Sequence, residues 1–225
     1  DIESLHKIFK EYPDYVAAVI MEPMNNTEPL DGFLEKVKEL TRKNGAVFIF
    51  DETITGFRYA NGGAQEYFNV IPDLATFGKG LANGYPVSAI AGRADIMRLM
   101  EDVFFSFTFG GETLSLAAAL AAMTKLQKEP VVETLWSQGS KVVEGTNELI
   151  KKYDLQNILS VTGKECWSFL VFKDSDIYSQ HSDEDIGHLL NVYDDIFALL
   201  KDVVENGSLK GYLNCEPLVP LFKVR

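Results

Sequence analysis

The chain of 225 residues has little of what several functions require. Its two cysteines, Cys166 and Cys215, are far apart and lack the spacing of a metal site, so each reads as a buried thiol and a reducing compartment fits. Three histidines, His6, His181 and His188, form no ligand cluster. Basic residues are scarce: 21 Lys and Arg stand against 33 Asp and Glu, a net charge of −12. That is the wrong sign for gripping a phosphate backbone, so nucleic acid is not an expected partner. No apolar run approaches a membrane span, and the opening DIESLHKIFK has no signal-peptide core, so a cytoplasmic protein without a membrane partner is expected. There is also no initiator methionine. The chain opens directly on a helix pattern, with Ile2, Leu5, Ile8 and Phe9 on one face, which favours a piece of a longer polypeptide.

What is present is the material of a substantial core, 46% hydrophobic residues against 24% charged. YVAAVIM (15–21) and AVFIFD (46–51) are continuous apolar runs of strand length, separated by a helix pattern over 30–45 that ends on Lys, Asn and Gly. LATF (74–77) and VSAIAG (87–92) continue the series, which predicts a parallel sheet with covered faces. A helix follows at RADIMRLM (93–100), then an alanine-rich one over 113–126. After Pro130 the pattern changes to a long amphipathic helix (131–153), two strand-like runs, NILSVT and CWSFLVF, and an acidic helix from Asp183 to Val204. The fold class is therefore α/β followed by α+β, with a domain boundary near 125–131.

One lysine stands out. Lys79 is the only charged residue between Leu74 and Ala91, and Gly78 and Gly80 flank it. Parallel strands place Asp51, at the end of one run, and Lys79, one glycine past another, at the same carboxyl rim, where open α/β sheets bind ligands. A salt bridge is the plain alternative for such a pair. Weighing against it are the two glycines, which permit close backbone approach, and a second carboxylate, Glu52, beside Asp51.

IFDETITGFR, GGAQEYFNVIPDLATFGKGLANGYPVSAIAGRADIM and the EP of VIMEP together resemble the class-III aminotransferases, which depend on pyridoxal 5′-phosphate and have fold type I. Within that family they are most similar to glutamate-1-semialdehyde aminomutase and its aminotransferase relatives. The resemblance covers about residues 1–126, and more weakly HSDEDI (181–186). It implies that residues 1–128 are part of the mainly parallel large domain that binds the cofactor, and that 129–225 form the small α+β domain.

The resemblance also implies roles. Lys79 would form the Schiff base with the cofactor aldehyde and shuttle protons at the substrate α-carbon; an apolar corner would favour its neutral amine. Asp51 would pair with the cofactor's pyridinium nitrogen and hold its proton, so that the ring draws in electrons. Thr53 would pack its methyl on the ring face. Ile54 takes the place of a glutamine found in ornithine- and aminobutyrate-type members, which favours the aminomutase-like branch. Thr108 would reach the cofactor phosphate of a neighbouring subunit in a homodimer with shared sites; the alternative is an ordinary turn threonine before a helix.

Where the aminomutases usually continue with Gly-Asn-Pro, this chain has Gly111-Glu112-Thr113. The expected activity is amino transfer between a small-molecule amino donor and a carbonyl acceptor, with intramolecular transfer as the alternative. Complete members also have an N-terminal portion nearly as long as this chain, which supplies the phosphate loop and the ring-stacking aromatic. A catalytically incomplete folding or dimerising module is therefore a third reading.

Plainer readings hold for other residues. Glu22-Pro23 is expected in a structural loop, Arg58 in a salt bridge supporting the Asp51 loop, and Trp136 and Trp167 in the core or a domain contact. DSD (174–176) and DEDI (183–186) read as turn and helix N-terminal acids.

Overall fold

The computed structural model describes residues 1–104 and 107–173, together with six helical positions between 187 and 201. The chain forms two compact units, Asp1–Lys173 and Asp174–Arg225. In the second unit Gly187, Leu190, Asn191, Asp194, Ala198 and Lys201 are helical, within the helix expected over 183–204. DSD, HSDEDI, His181, His188 and Cys215 lie outside the described residues.

In the first unit α1 (Ile2–Glu11) is capped by Asp1, which accepts from the Glu3 N–H at 3.0 Å. Four strands follow in the spatial order β1 (Ala18–Met21), β2 (Val47–Asp51), β3 (Leu74–Phe77) and β4 (Ala89–Gly92). Between β1 and β2 lies α2 (Phe33–Lys43), whose buried Leu34, Val37, Leu40 and Thr41 recur at helical spacing. Asn44 ends it, and Gly45 at φ 70 turns the chain into β2. Leu34 and Val37 pack on Phe48 and Phe50, both fully buried, with Val70 and Ala75 completing the core. A short α3 (Ala64–Tyr67) precedes β3.

β1, β2 and β3 are parallel, as the alternation predicted, but β4 runs antiparallel to β3. The segment joining them holds one 3₁₀ turn, Lys79–Leu81, and a parallel return needs a full crossover of a dozen or more residues. The faces are also not both covered. The register puts Ile20, Ile49 and Leu74 side by side, and beyond them Asp51, Thr76 and Ile90. Ile20 and Ile90 on this face are 60% and 44% exposed.

After β4 come α4 (Ala94–Met97), α5 (Thr113–Lys128) and α6 (Val131–Lys152), then an antiparallel hairpin of β5 (Leu159–Lys164) and β6 (Trp167–Phe172). The expected boundary falls between α5 and α6, inside the first unit. There the hairpin and α6 rest on the sheet body: Trp136 and Trp167 pack around Met24, Tyr59, Ala64 and Cys166. Lys164 pairs with Glu28 at 2.7 Å.

Candidate active site

The period of two along β2 buries Phe48 and Phe50 against α2 and turns Asp51 to the opposite face, at the strand's carboxyl end. Its cross-strand partner is Thr76, whose hydroxyl donates to Asp51 Oδ1 at 3.0 Å; the Thr53 N–H donates to the same oxygen at 3.0 Å. Hydrogen bonds from Thr53, with those from Thr76 and the positive charge of Lys79, hold the Asp51 carboxyl below its ordinary value despite partial burial. Asp51 is therefore held as an ionised carboxylate at the carboxyl rim of the sheet.

Glu52 points the other way. It is buried and accepts from the Thr55 hydroxyl at 2.7 Å and from the N–H groups of Ala64 and Gln65 at 2.8 and 2.9 Å. Gly63, at φ +83, permits this: a Cβ there would sit 2.6 Å from Glu52 Oε2. Glu52 thus supports the turn after Asp51.

Lys79 follows β3 and Gly78, opening the 3₁₀ turn with φ 40. A Cβ on Gly78 would lie 3.3 Å from Thr53 Cγ2, and one on Gly80 would lie 3.6 Å from the Gly56 oxygen. The glycines thus let the 78–80 turn lie directly on the 53–56 turn, which brings Asp51, Thr53 and Lys79 together. One reading is supported here and one expectation changes. Among the described residues Lys79 forms no ion pair with Asp51, so their relation is through space rather than a salt bridge. The expectation that changes is the apolar corner, which is not closed: Lys79 is exposed, and Gly78 and Gly80 on either side of it offer no side chain to roof it.

Thr108 lies in an exposed turn before α5 and makes no hydrogen bond to Asp51, Thr53 or Lys79 among the described residues. The first turn of α5 is capped by Glu112, whose carboxylate accepts from the N–H groups of Leu114 and Ser115 at 2.6 and 2.8 Å. The residues that depart from Gly-Asn-Pro therefore fill a helix cap from within the chain.

Arg58 does not make the expected salt bridge among the described residues. Asp51 is held by threonines and Glu52 by α3, so the guanidinium turns to carbonyls, Nε to Ile54 O at 3.3 Å and Nη1 to Cys166 O at 3.0 Å. Glu22 accepts from Asn25 Nδ2 at 3.2 Å within its loop. Trp136 stacks on Tyr67 and donates Nε1–H to the Tyr59 carbonyl at 3.1 Å. Cys166 is buried with a free thiol whose pKa burial pushes up to about 11. Sequence reasoning missed Thr76; its signal was a hydroxyl in an otherwise apolar strand, three residues before Lys79. Among the described residues no cluster of His, Cys, Asp and Glu could hold a metal, and no helix is long and apolar enough to cross a membrane.

A family model, aminotransferase class-III, matches residues 1–173. The chain belongs to the class-III aminotransferase family. It is 35% identical over 210 residues to a glutamate-1-semialdehyde 2,1-aminomutase of Francisella tularensis, covering 90% of this chain and 48% of that protein. It is 43% identical over 157 residues to the enzyme of that name from Alkaliphilus oremlandii, covering 66% and 37%. The chain thus spans about half the length of the curated relatives it matches.

Among solved structures it superposes on the Sphingopyxis FumI protein with TM-score 0.72 at 22% identity, covering 91% of this chain and 57% of that one. The ornithine δ-aminotransferase of Plasmodium falciparum matches with TM-score 0.66 at 27% identity, covering 77% and 46%. These neighbours have the fold of type-I pyridoxal-phosphate aminotransferases, and this class-III chain shares it.

Proposed function

We propose that the polypeptide containing this chain transfers amino groups between a small-molecule amino donor and a carbonyl acceptor with pyridoxal 5′-phosphate as cofactor. The observation that carries this reading is an ionised Asp51 and a nearby Lys79 on two packed turns at the carboxyl ends of adjacent parallel strands. The site residues fit the group. A low-pKa carboxylate suits a pyridinium N–H, the Thr53 methyl offers an apolar surface to a ring, and an exposed lysine leaves room at the rim. When bound, pyridoxal phosphate supplies a carbonyl carbon for amino groups and an electron-accepting ring. Asp51 would keep the ring nitrogen protonated. Thr76 and the Thr53 N–H orient that carboxylate. Lys79 Nζ would hold the cofactor covalently and would carry the proton removed from the substrate α-carbon.

Residues 1–128 would belong to the cofactor-binding domain and 129–225 to the smaller one, in a cytoplasmic homodimer. Exposed Leu114 and Leu120 on α5, beside the Thr108 turn, are apolar surface that a second copy would cover. Thr108 would then serve the partner's cofactor phosphate. Intramolecular amino transfer is the second reading, favoured by apolar Ile54 and by the aminomutase names of the relatives. Turnover without an added keto acid selects it.

Borohydride reduction of the full polypeptide followed by peptide mass mapping tests the main reading. Label on Lys79 is expected; label on another lysine with Lys79 bare ends it.

A further inference from the structure

The turn that follows Asp51 ends in strain. Phe57 has φ 62, a left-handed backbone that a bulky side chain keeps only where its surroundings hold it there. Its ring lies 5.7 Å from that of Phe77, the last residue of β3 before Gly78 and Lys79. Contact is close throughout: a Cβ on Gly56 would come 2.8 Å from Phe77 Cδ1 and 2.7 Å from the Glu52 oxygen.

Arg58, the next residue, fixes this turn from outside. One end of its guanidinium holds the Ile54 carbonyl within the turn, and the other holds the Cys166 carbonyl in the β5–β6 connection. That connection is itself pressed on α6, because a Cβ on Gly139 would overlap the Glu165 carbonyl. One turn earlier on α6, Trp136 grips the Tyr59 carbonyl. The contacts form one physical chain, from Gly139 through the Glu165–Cys166 turn to Arg58, Ile54 and the Asp51 turn.

We infer that Arg58 is a positioning residue for the amino-transfer site, a strap that holds the 53–58 turn against Phe77–Lys79 and so fixes Asp51 relative to Lys79. Its effect on chemistry rests on the pyridoxal-phosphate reading, while the strap itself is observable without cofactor. The planar fork of arginine reaches two carbonyls at once, which a lysine in its place cannot do with the same geometry.

Three variants of the full polypeptide test this: Arg58→Ala, Arg58→Lys and Gly139→Ala. The last leaves Arg58 intact and displaces only its distant anchor. In cofactor-free protein, amide exchange across residues 53–58 is expected to quicken in all three, least in Arg58→Lys. In cofactor-loaded protein the pH midpoint of the visible absorption band shifts, and kcat falls about 10- to 100-fold with little change in KM for the amino donor. If Arg58→Ala fails to fold, the other two variants carry both measurements. Unchanged exchange across 53–58 in the variants that fold overturns the strap. Faster exchange with a wild-type band midpoint and wild-type kcat overturns the positioning role. A wild-type protein that takes up no pyridoxal phosphate counts against the proposed function alone, and the exchange measurement still decides the strap.

Discussion

Two aspartates sit at opposite ends of the same pair of strands and do different work. Asp73, just before β3, is buried and accepts from the Phe48 N–H at 2.9 Å, from Arg42 at 2.7 Å and from Arg93 at 3.1 Å. Burial alone would raise its pKa; the hydrogen bonds and charge from Arg42, the Phe48 N–H and Arg93 overcome that and leave it low. Asp51, at the end of β2, is also held low, but by two threonines and an unpaired lysine charge. One carboxylate is saturated by fixed partners from α2, β2 and the residue after β4. The other keeps its charge without a neutralising ion pair. Both are "low-pKa aspartates", and only the set of partners separates a structural pin from a group able to meet a ligand.

Substitution at the carboxyl rim should remove chemistry and spare the fold, whereas the amino rim should show the reverse. The largest effect is expected from Lys79→Ala, which abolishes amino transfer while the denaturant midpoint stays near wild type. Activity surviving in a turnover assay would break the comparison. Asp51→Asn comes next. Loss of one charge-assisted hydrogen bond costs about 1.5–3 kcal/mol, and failure of ring-nitrogen protonation adds to it, so α-proton exchange of the amino donor should slow more than about 100-fold.

Asp73→Asn should lower unfolding free energy by about 2–4 kcal/mol, below the full cost of a broken buried pair because both arginines are half-exposed, with the rate per folded molecule unchanged. Urea titration beside active-site counting reads both quantities. Because the native pKa of Asp73 is depressed, its stabilisation is complete above the ordinary value of 3.8 and is lost as pH falls through the lower native value. Below 3.8 the wild-type protein should therefore lose stability more steeply than Asp73→Asn. Trp136→Phe is the mildest, about 1 kcal/mol from one hydrogen bond to a carbonyl, seen as a small shift in thermal midpoint.

Much of this was legible in the residues. α2 announced itself through Leu34, Val37 and Leu40 at helical spacing, and β2 through an apolar run closed by Asp51. The sequence motifs brought Asp51, Thr53 and Lys79 to one rim because strand ends are local features. Direction was not local: VSAIAG reads as a strand either way, and only the short connection with its 3₁₀ turn makes β4 antiparallel. Exposure at Lys79 was hidden for a similar reason, since apolar neighbours in sequence do not face it in space. Arg58 read as a salt-bridge former because a carboxylate is the default partner of a guanidinium. Its carbonyl partner at Cys166 is 108 residues away, a separation no pattern encodes.

The φ of 40 at Lys79 has a consequence for how such a residue persists. Side chains with a Cβ are disfavoured in that backbone, and glycine adopts it freely. Thermodynamic selection acting on the fold by itself would drift this position toward glycine, matching the two beside it. A lysine there is a backbone burden, and its side chain, exposed and without an ion-pair partner among the described residues, returns to the fold only a through-space attraction to Asp51, screened by water. Of the 21 basic residues in the chain, this is one whose backbone the fold alone would sooner give to glycine.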